Sequence, residues 1–486
     1  VHHADCSLNR NTKPAATRPH SPKPSEIDSM HTRHFSVAKS GRGGTVLILT
    51  SVGLVAMVGM MFVALETGRA MAKVRHVQNA TDASALAAAQ VLVRRQLNAQ
   101  ATASGTQYVT EYNQLSGANV TISMPPTSGP YAGRIGYAES RVSFSSSTPL
   151  LNSMGIASSA TLGSRAVAGY RSIAAADLVI ALDKAATPGL NCVGGGQLII
   201  DGGCITNSQG WGVDEFGANV PGAYNGYAGN IGSNGRFKGR SFKIGGGVNN
   251  PAGFLPYIAG GDSPLHCNAG IYPDPLINLP TPTVSTGVVN VDRGRIRVSS
   301  TSYVGTFQPG IYSEINVSGG RVTLNPGIYV IKGGELKITG GTFTAAGVMF
   351  YITTNDYDPI SGLPDANDLN SAPIQSGAQR GGATVTSNAT LQALNLPSSN
   401  PGSIYNGVLI HLRRRNDMPV AVAGNATAGQ VTGTIYAKWS QLTLTGQGVF
   451  NTQFVVGNVK WSGNGNMTIM ASGYDLAKGN VVYLVE

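Results

Sequence analysis

The chain has 486 residues, enough for two or three domains, with 64 Gly, about twice the usual share, and only 12% charged residues, about half of it. No G-X-Y period runs through it, which excludes collagen, and 42% hydrophobic residues at low charge density exclude a disordered chain. The net charge of +10 is concentrated in residues 1–44, where seven Lys/Arg face three acidic residues; such a tail suits anionic lipid head groups and not the charged folded face of a nucleic-acid binder.

Residues 1–44, with Pro, Ser and His among the charges, read as a basic disordered tail. Thr45 to Leu65 follows as TVLILTSVGLVAMVGMMFVAL, a charge-free run long enough to cross a hydrocarbon core of about 30 Å. It is too long for a signal-peptide core, and Glu66, Arg69 and Lys73 come directly after it. A permanent single-pass anchor from Thr45 to Leu65 is expected, with membrane lipid as its partner. Local charge is nearly balanced around it, and the whole tail tips the orientation to N-terminus inside, the large C-terminal part being exported. The helix is expected to continue to residue 103, since 66–103 has no Pro and many Ala. Val74, Val77, Ala85, Ala88 and Leu92 recur near helical spacing and form the face on which a neighbouring helix or sheet would assemble.

Residues 104–175 read as a small α+β domain, with a helical piece near 107–114 and alternating strands at 119–123, 138–145 and 160–170. Val120, Ile122, Val142, Phe144, Leu162 and Val167 are its expected core. Residues 176–486 shift to short β-rich runs punctuated by Gly-Gly, Gly-Asn and Asn-Pro-Gly, and Pro309-Gly-Ile-Tyr312 recurs as Pro326-Gly-Ile-Tyr329. Short strands ending in Gly turns point to an all-β solenoid, a right-handed parallel β-helix, with rows such as Val322, Leu324, Leu336 and Ile338 stacked inside. A β-sandwich is the alternative, because the repeats are interrupted. Lys438-Trp439 and Lys460-Trp461 read as stacking at the edges of coils.

Chemistry is sparse. Of Cys6, Cys192, Cys204 and Cys267, the pair Cys192 and Cys204 is the disulfide candidate if the region is exported, with Cys267 as competing partner. No catalytic residue, metal ligand set or cofactor site is expected. The acidic stretch 353–370, with Asp356, Asp358, Asp365 and Asp368, lacks the spacing of a calcium loop and reads as solvated. Arg413-Arg414-Arg415 reads as a solvated strand end. Glu314 and Glu335 are the carboxylates of segment 309–349, and His266 and His411 stand apart from them in sequence.

The order of several segments resembles the TadE/TadG-like proteins of Flp (tight adherence) pilus assembly, TadG-like branch. The residues that carry it are Arg42-Gly43-Gly44, ETGRAMAKVRHVQNATDASALAAAQVL at 66–92, ANVTISMPPTSGPYAGRIGYAESRVSF at 118–144, and SSATLGSRAVAGYRS at 158–172. PDPLINLPTPTV (273–284), LNPGIYVIKGG (324–334) and VTGTIYAKWSQLTLTGQG (431–448) extend it. The resemblance implies a pilin-like α+β domain. A cut pilin needs Glu five residues into its mature helix, where this chain has Leu49, so an uncut anchor fits. Some members carry a von Willebrand A domain; Asp183, Ala185 and Thr187 fall on its metal loop without the first hydroxyl, and Asp183 is assigned to a turn. The implied function is a non-enzymatic membrane-anchored component of a Tad/Flp-type pilus or secretion system in the cytoplasmic membrane, partnered by other assembly membrane proteins. The alternative is an anchored adhesin or β-helix enzyme acting on surface or envelope polysaccharide.

Overall fold

The protein was analysed as a computed structural model that describes residues 43–93, 98–174, 177–232, 234–368, 371–374, 378–386, 389–424, 430–471 and 476–486. The basic tail 1–42, Cys6 and residues 94–97 of the expected long helix lie outside the described residues. The chain divides into two units, 1–65 and 66–486.

In the first unit the described residues open helix α1 (Gly43–Val93). A helix made from this run is apolar on every face, so no side is singled out for packing, and the large side chains from Val46 to Leu65 are nearly all exposed. Its few hydroxyls are satisfied locally: Thr50 Oγ1 donates to the Val46 carbonyl and Ser51 Oγ to the Ile48 carbonyl, each at 2.9 Å. Local satisfaction is what an apolar surrounding demands. This is the one helix, among the described residues, long and apolar enough to cross a membrane.

The second unit begins with the rest of α1, followed by α2 (Asn98–Gln107) and a wide turn, Tyr108–Tyr112. These pack on an antiparallel sheet of β1 (Asn119–Ser123), β2 (Tyr137–Ser147) and β3 (Ser159–Ala174). The fourth strand, Lys478–Leu484, comes from the other end of the chain and pairs antiparallel with β3. Of the expected core, Val142 is buried, Val120, Phe144 and Leu162 pack beside it, and Ile122 lies against the alanine cluster. Val167 is fully buried as well.

The remainder is a large all-β region in which the strands pair parallel along three continuous ladders. The first runs through Arg295–Val298, Glu314–Val317, Leu336–Ile338, Ala383–Val385, Val420–Gly424, 442–446 and 458–461. It continues into Leu190–Cys192 and Gly229–Ile231. The second includes Val304–Phe307, Arg321–Leu324 and 342–345, and the third Gly310–Tyr312, 329–331, 350–352 and 410–412. Alternation at period two turns one row inward, so Val322, Leu324, Leu336 and Ile338 all lie in one core cluster. The two Pro-Gly-Ile-Tyr copies do not stack in sequence register: Ile311 pairs with Val330, not Ile328. That offset of two residues preserves the inward and outward facing. Gly327, at φ +141°, lies where a Cβ would come within 2.5 Å of Pro309, which explains the glycine.

Chain order and stacking order differ. Residues 454–456, 459–461 and 466–469 pair with 179–181, 190–192 and 197–200, so the earliest β strands continue the stack beyond the last ones. The segment between His266 and Arg295 therefore returns to the far end as a strap. Strands of the third ladder are buried on both sides: beneath the strap, an outward row of Ile311, Val330, Tyr351, Tyr436, Val455 and Ile180 clusters with Leu276, Leu279 and Val288.

Candidate functional site

The part of α1 in the second unit meets its sheet through very small side chains. Ala85, Ala88 and Ala89 of α1 cluster with Ala138, Ala166 and Ala168 of β2 and β3. Such surfaces allow close backbone approach, and polar contacts then fix the register. Ser140 Oγ donates to Ser84 Oγ at 2.8 Å, Ser164 Oγ donates to Gln78 Oε1, and Gln78 Nε2 donates to Asp82 Oδ1 at 2.6 Å. Gly105 of α2 closes the contact, since a Cβ there would lie 2.3 Å from Ile122 Cδ1. Gln90 donates to Asn278 of the strap and ties the helix to the β region.

A charged knot holds the sheet's other side. Glu139 is fully buried. It accepts from Thr127 N (2.6 Å), Thr127 Oγ1 (2.9 Å), Ser128 Oγ (2.9 Å), Arg141 Nε (2.8 Å) and Arg165 Nε (2.6 Å). Burial pushes its carboxyl up, but the bonds from Arg165, Thr127 and Ser128 outweigh that and hold it well below the usual carboxylate range. Arg141 and Arg165 stand directly opposite across β2 and β3; like charges so placed repel, and the shared carboxylate reverses the sign. Sequence reasoning missed Glu139, although Glu139 and Arg141 two apart on a strand, in a domain poor in charge, were a usable signal.

The second polar assembly lies under the strap and corrects several expectations. Arg413 and Arg414 are not a solvated strand end, and Asp365 and Asp368 are not in a solvated loop: all four are buried. Arg413 Nε lies 2.7 Å from Asp368 Oδ2 and 3.0 Å from Asp365 Oδ1, and Arg414 Nη2 donates to the carbonyls of Leu276, Ile277 and Leu279. Asp365 Oδ2 accepts from Tyr351 at 2.5 Å and from Thr353. Its carboxyl is pushed up to about 6, because burial outweighs the nearby Arg413. His411 is not isolated: its ring lies 5.1 Å from Tyr351 and 5.2 Å from Tyr436 in edge contacts. Burial and Arg414 drive it well below its ordinary value, so it is neutral. Lys438 is also buried, 3.6 Å from Asp274. Trp461 is a fully buried core residue, not an edge. Arg413, Asp365 and Asp368 are bonded to one another and Arg414 to backbone carbonyls, the arrangement of a structural clamp.

Other expected residues are placed as follows. Val77, Ala85 and Ala88 are buried in their own unit, Leu92 is half-buried, and Val74 is exposed. Leu65 is exposed at the end of the first unit, and Thr45 lies within the helix. Cys192, Cys204 and Cys267 are free thiols. Cys192 pairs laterally with Trp461 and Ile231, whereas Cys204 pairs with Val179 and Phe242 in another ladder. Burial and nearby Glu215 push the Cys267 thiol up to about 12. Asp183 Oδ1 accepts from Ala185 N at 2.9 Å, forming its own turn. Glu314 and Glu335 line one open groove with Arg295 and Lys332. Among the described residues no group of three or more His, Cys, Asp or Glu is placed to hold a metal ion.

One helix among the described residues is long and apolar enough to cross a membrane, and a small antiparallel sheet and a large β region follow it in the chain. Residues 43–91 match the family model described as putative Flp pilus-assembly TadE/G-like. No curated protein and no solved structure matches the chain.

Proposed function

We propose that this protein is a non-catalytic, membrane-anchored structural component of a Tad/Flp-type pilus-assembly or secretion system. It would sit as a single-pass protein in the cytoplasmic membrane, N-terminus inside, with the β region on the far side. The observation that carries this reading is the coincidence of the family match at 43–91 with the membrane-length run and the helix that packs on the sheet. Three parallel ladders support reading the β region as a parallel β-helix instead of a sandwich, and the usual hand of parallel connections makes it right-handed. The four parts of the chain would then be the tail to residue 44, the helix to 103, the α+β domain to 175 and the β-helix beyond, with the final strand returning to the small sheet. Because Val77, Ala85 and Ala88 already pack internally, lateral partners in the assembly would meet α1 on its exposed side, at Met71 and Val74. The thiols Cys192 and Cys204 remain candidates for oxidation to a disulfide outside the cytoplasm.

Deleting residues 45–103 should release the protein from membranes and abolish surface pili. Protease added to intact spheroplasts should digest residues beyond 104 and spare the tail. Carbonate-extractable full-length protein, or unaltered piliation by the deletion, would refute the proposal. The polysaccharide alternative has one feature in its favour, the groove at Glu314 and Glu335; turnover of a polysaccharide that is lost in Glu314→Gln would favour it.

A further inference from the structure

We propose that the tip connecting β2 and β3, residues 148–158, is a second membrane contact that rests in the lipid interface beside the anchor. The inference depends on the reading of 45–65 as a membrane span. The tip is fixed against the first residue after that run: Glu66 is buried, and its Oε2 accepts from Leu150 N at 3.3 Å. Glu66 is the first residue of the second unit and follows Leu65 by one peptide bond, so the tip is held to the residue directly after the apolar run.

Its chemistry matches that position. Residues 142–164 contain no charged side chain. Within the tip, Met154 and Ile156 are exposed at 42% and 62%, and Leu150 and Leu151 are half-buried. An apolar tip held in water would be unfavourable, while an interface accepts it at a depth of about 5–10 Å.

The backbone of the tip is also prepared for a poorly hydrating medium. Asn152 N donates to Thr148 O (2.9 Å), Gly155 N to Asn152 O (3.0 Å), and Ile156 N to Leu151 O (3.0 Å). Thr148 Oγ1 donates to Ala157 O (2.8 Å) and Ser153 Oγ to Leu150 O (2.7 Å). These bonds satisfy part of the tip's backbone without water. On the adjoining helix, Arg69 and Lys73 are exposed one and two turns beyond Glu66, at about 5 and 10 Å of helical rise, within reach of head-group phosphates. Lys73 Nζ lies 5.9 Å from the Phe144 ring of β2, which keeps the basic side and the tip together. Two contacts would restrain the tilt of the exported part against the membrane.

The full-length chain is tested in liposomes of phosphatidylcholine and phosphatidylglycerol, with an environment-sensitive fluorescent amino acid at position 156, at 58 or at 306. Brominated acyl chains should quench positions 58 and 156 about twofold or more and leave 306 unchanged. Quenching at 58 without quenching at 156 overturns the second contact and leaves the anchor intact. Loss of quenching at both positions overturns the anchor reading and this inference with it. A label at 156 that is shielded from aqueous iodide yet unquenched by bromolipid marks a protein partner and also overturns it.

Discussion

Glu139→Gln tests whether the small sheet is held by one shared carboxylate. The substitution preserves shape but removes the charge that receives five hydrogen bonds. It leaves Arg141 and Arg165 opposed across β2 and β3, and its amide places hydrogens against donors. Breaking a buried pair costs roughly 3–5 kcal/mol. Arg141 and Arg165 keep 49% and 28% of their side chains exposed, and solvent screening reduces the figure to about 3 kcal/mol. At about 1.4 kcal/mol per tenfold, β2 and β3 amides should then exchange with solvent deuterium about a hundredfold faster, with amides of the parallel ladders unaffected. The carboxyl is held below its unfolded value, so its stabilisation is complete above the usual carboxylate range and fades as pH falls below about 4. The difference between wild type and variant should therefore shrink on acidification. A change under about tenfold, or a gap that widens at pH 3, would refute the reasoning.

The clamp under the strap makes its own predictions. Arg414→Ala leaves the carbonyls of Leu276, Ile277 and Leu279 without this donor; at about 1–3 kcal/mol for an unpaired buried group, limited proteolysis should reveal faster cleavage within 270–292. Asp365 titrates in the folded protein at about 6, above its unfolded value, so the folded state binds the extra proton and stability falls as pH rises from 4 to 7. That slope amounts to about 3 kcal/mol at two pH units, and Asp365→Asn should remove it from urea-unfolding midpoints measured across this range. At the junction of early and late strands, a Cβ on Gly194 would lie 2.1 Å from Gly463 O, whereas Gly195 has only Asn464 Oδ1 at 3.7 Å. Gly194→Ala should cost about 1–3 kcal/mol in denaturant titration, and Gly195→Ala much less.

Much of this architecture is local and was legible as such. A charge-free run from Thr45 to Leu65 dictates a helix that is apolar on every face, whatever surrounds it. Strand β1 falls on the expected 119–123, and the alternating rows at Val322, Leu324, Leu336 and Ile338 turn inward as their period requires. Side chains whose meaning depends on distant partners were not legible. Arg413 and Arg414 form a charged triplet with Arg415 in the sequence, and only the fold brings Asp365, Asp368 and the 276–279 carbonyls to the first two. Val77, Ala85 and Ala88 announced an apolar stripe, while the tertiary structure chose the chain's own sheet as its partner. The pairing of 454–456 with 179–181 joins residues some 275 positions apart, and no local periodicity encodes which edge meets which. Composition and period settle what a segment can bury; the stacking of remote edges and the return of the strap settle against what it is buried, because those contacts exist only once the ladders have closed.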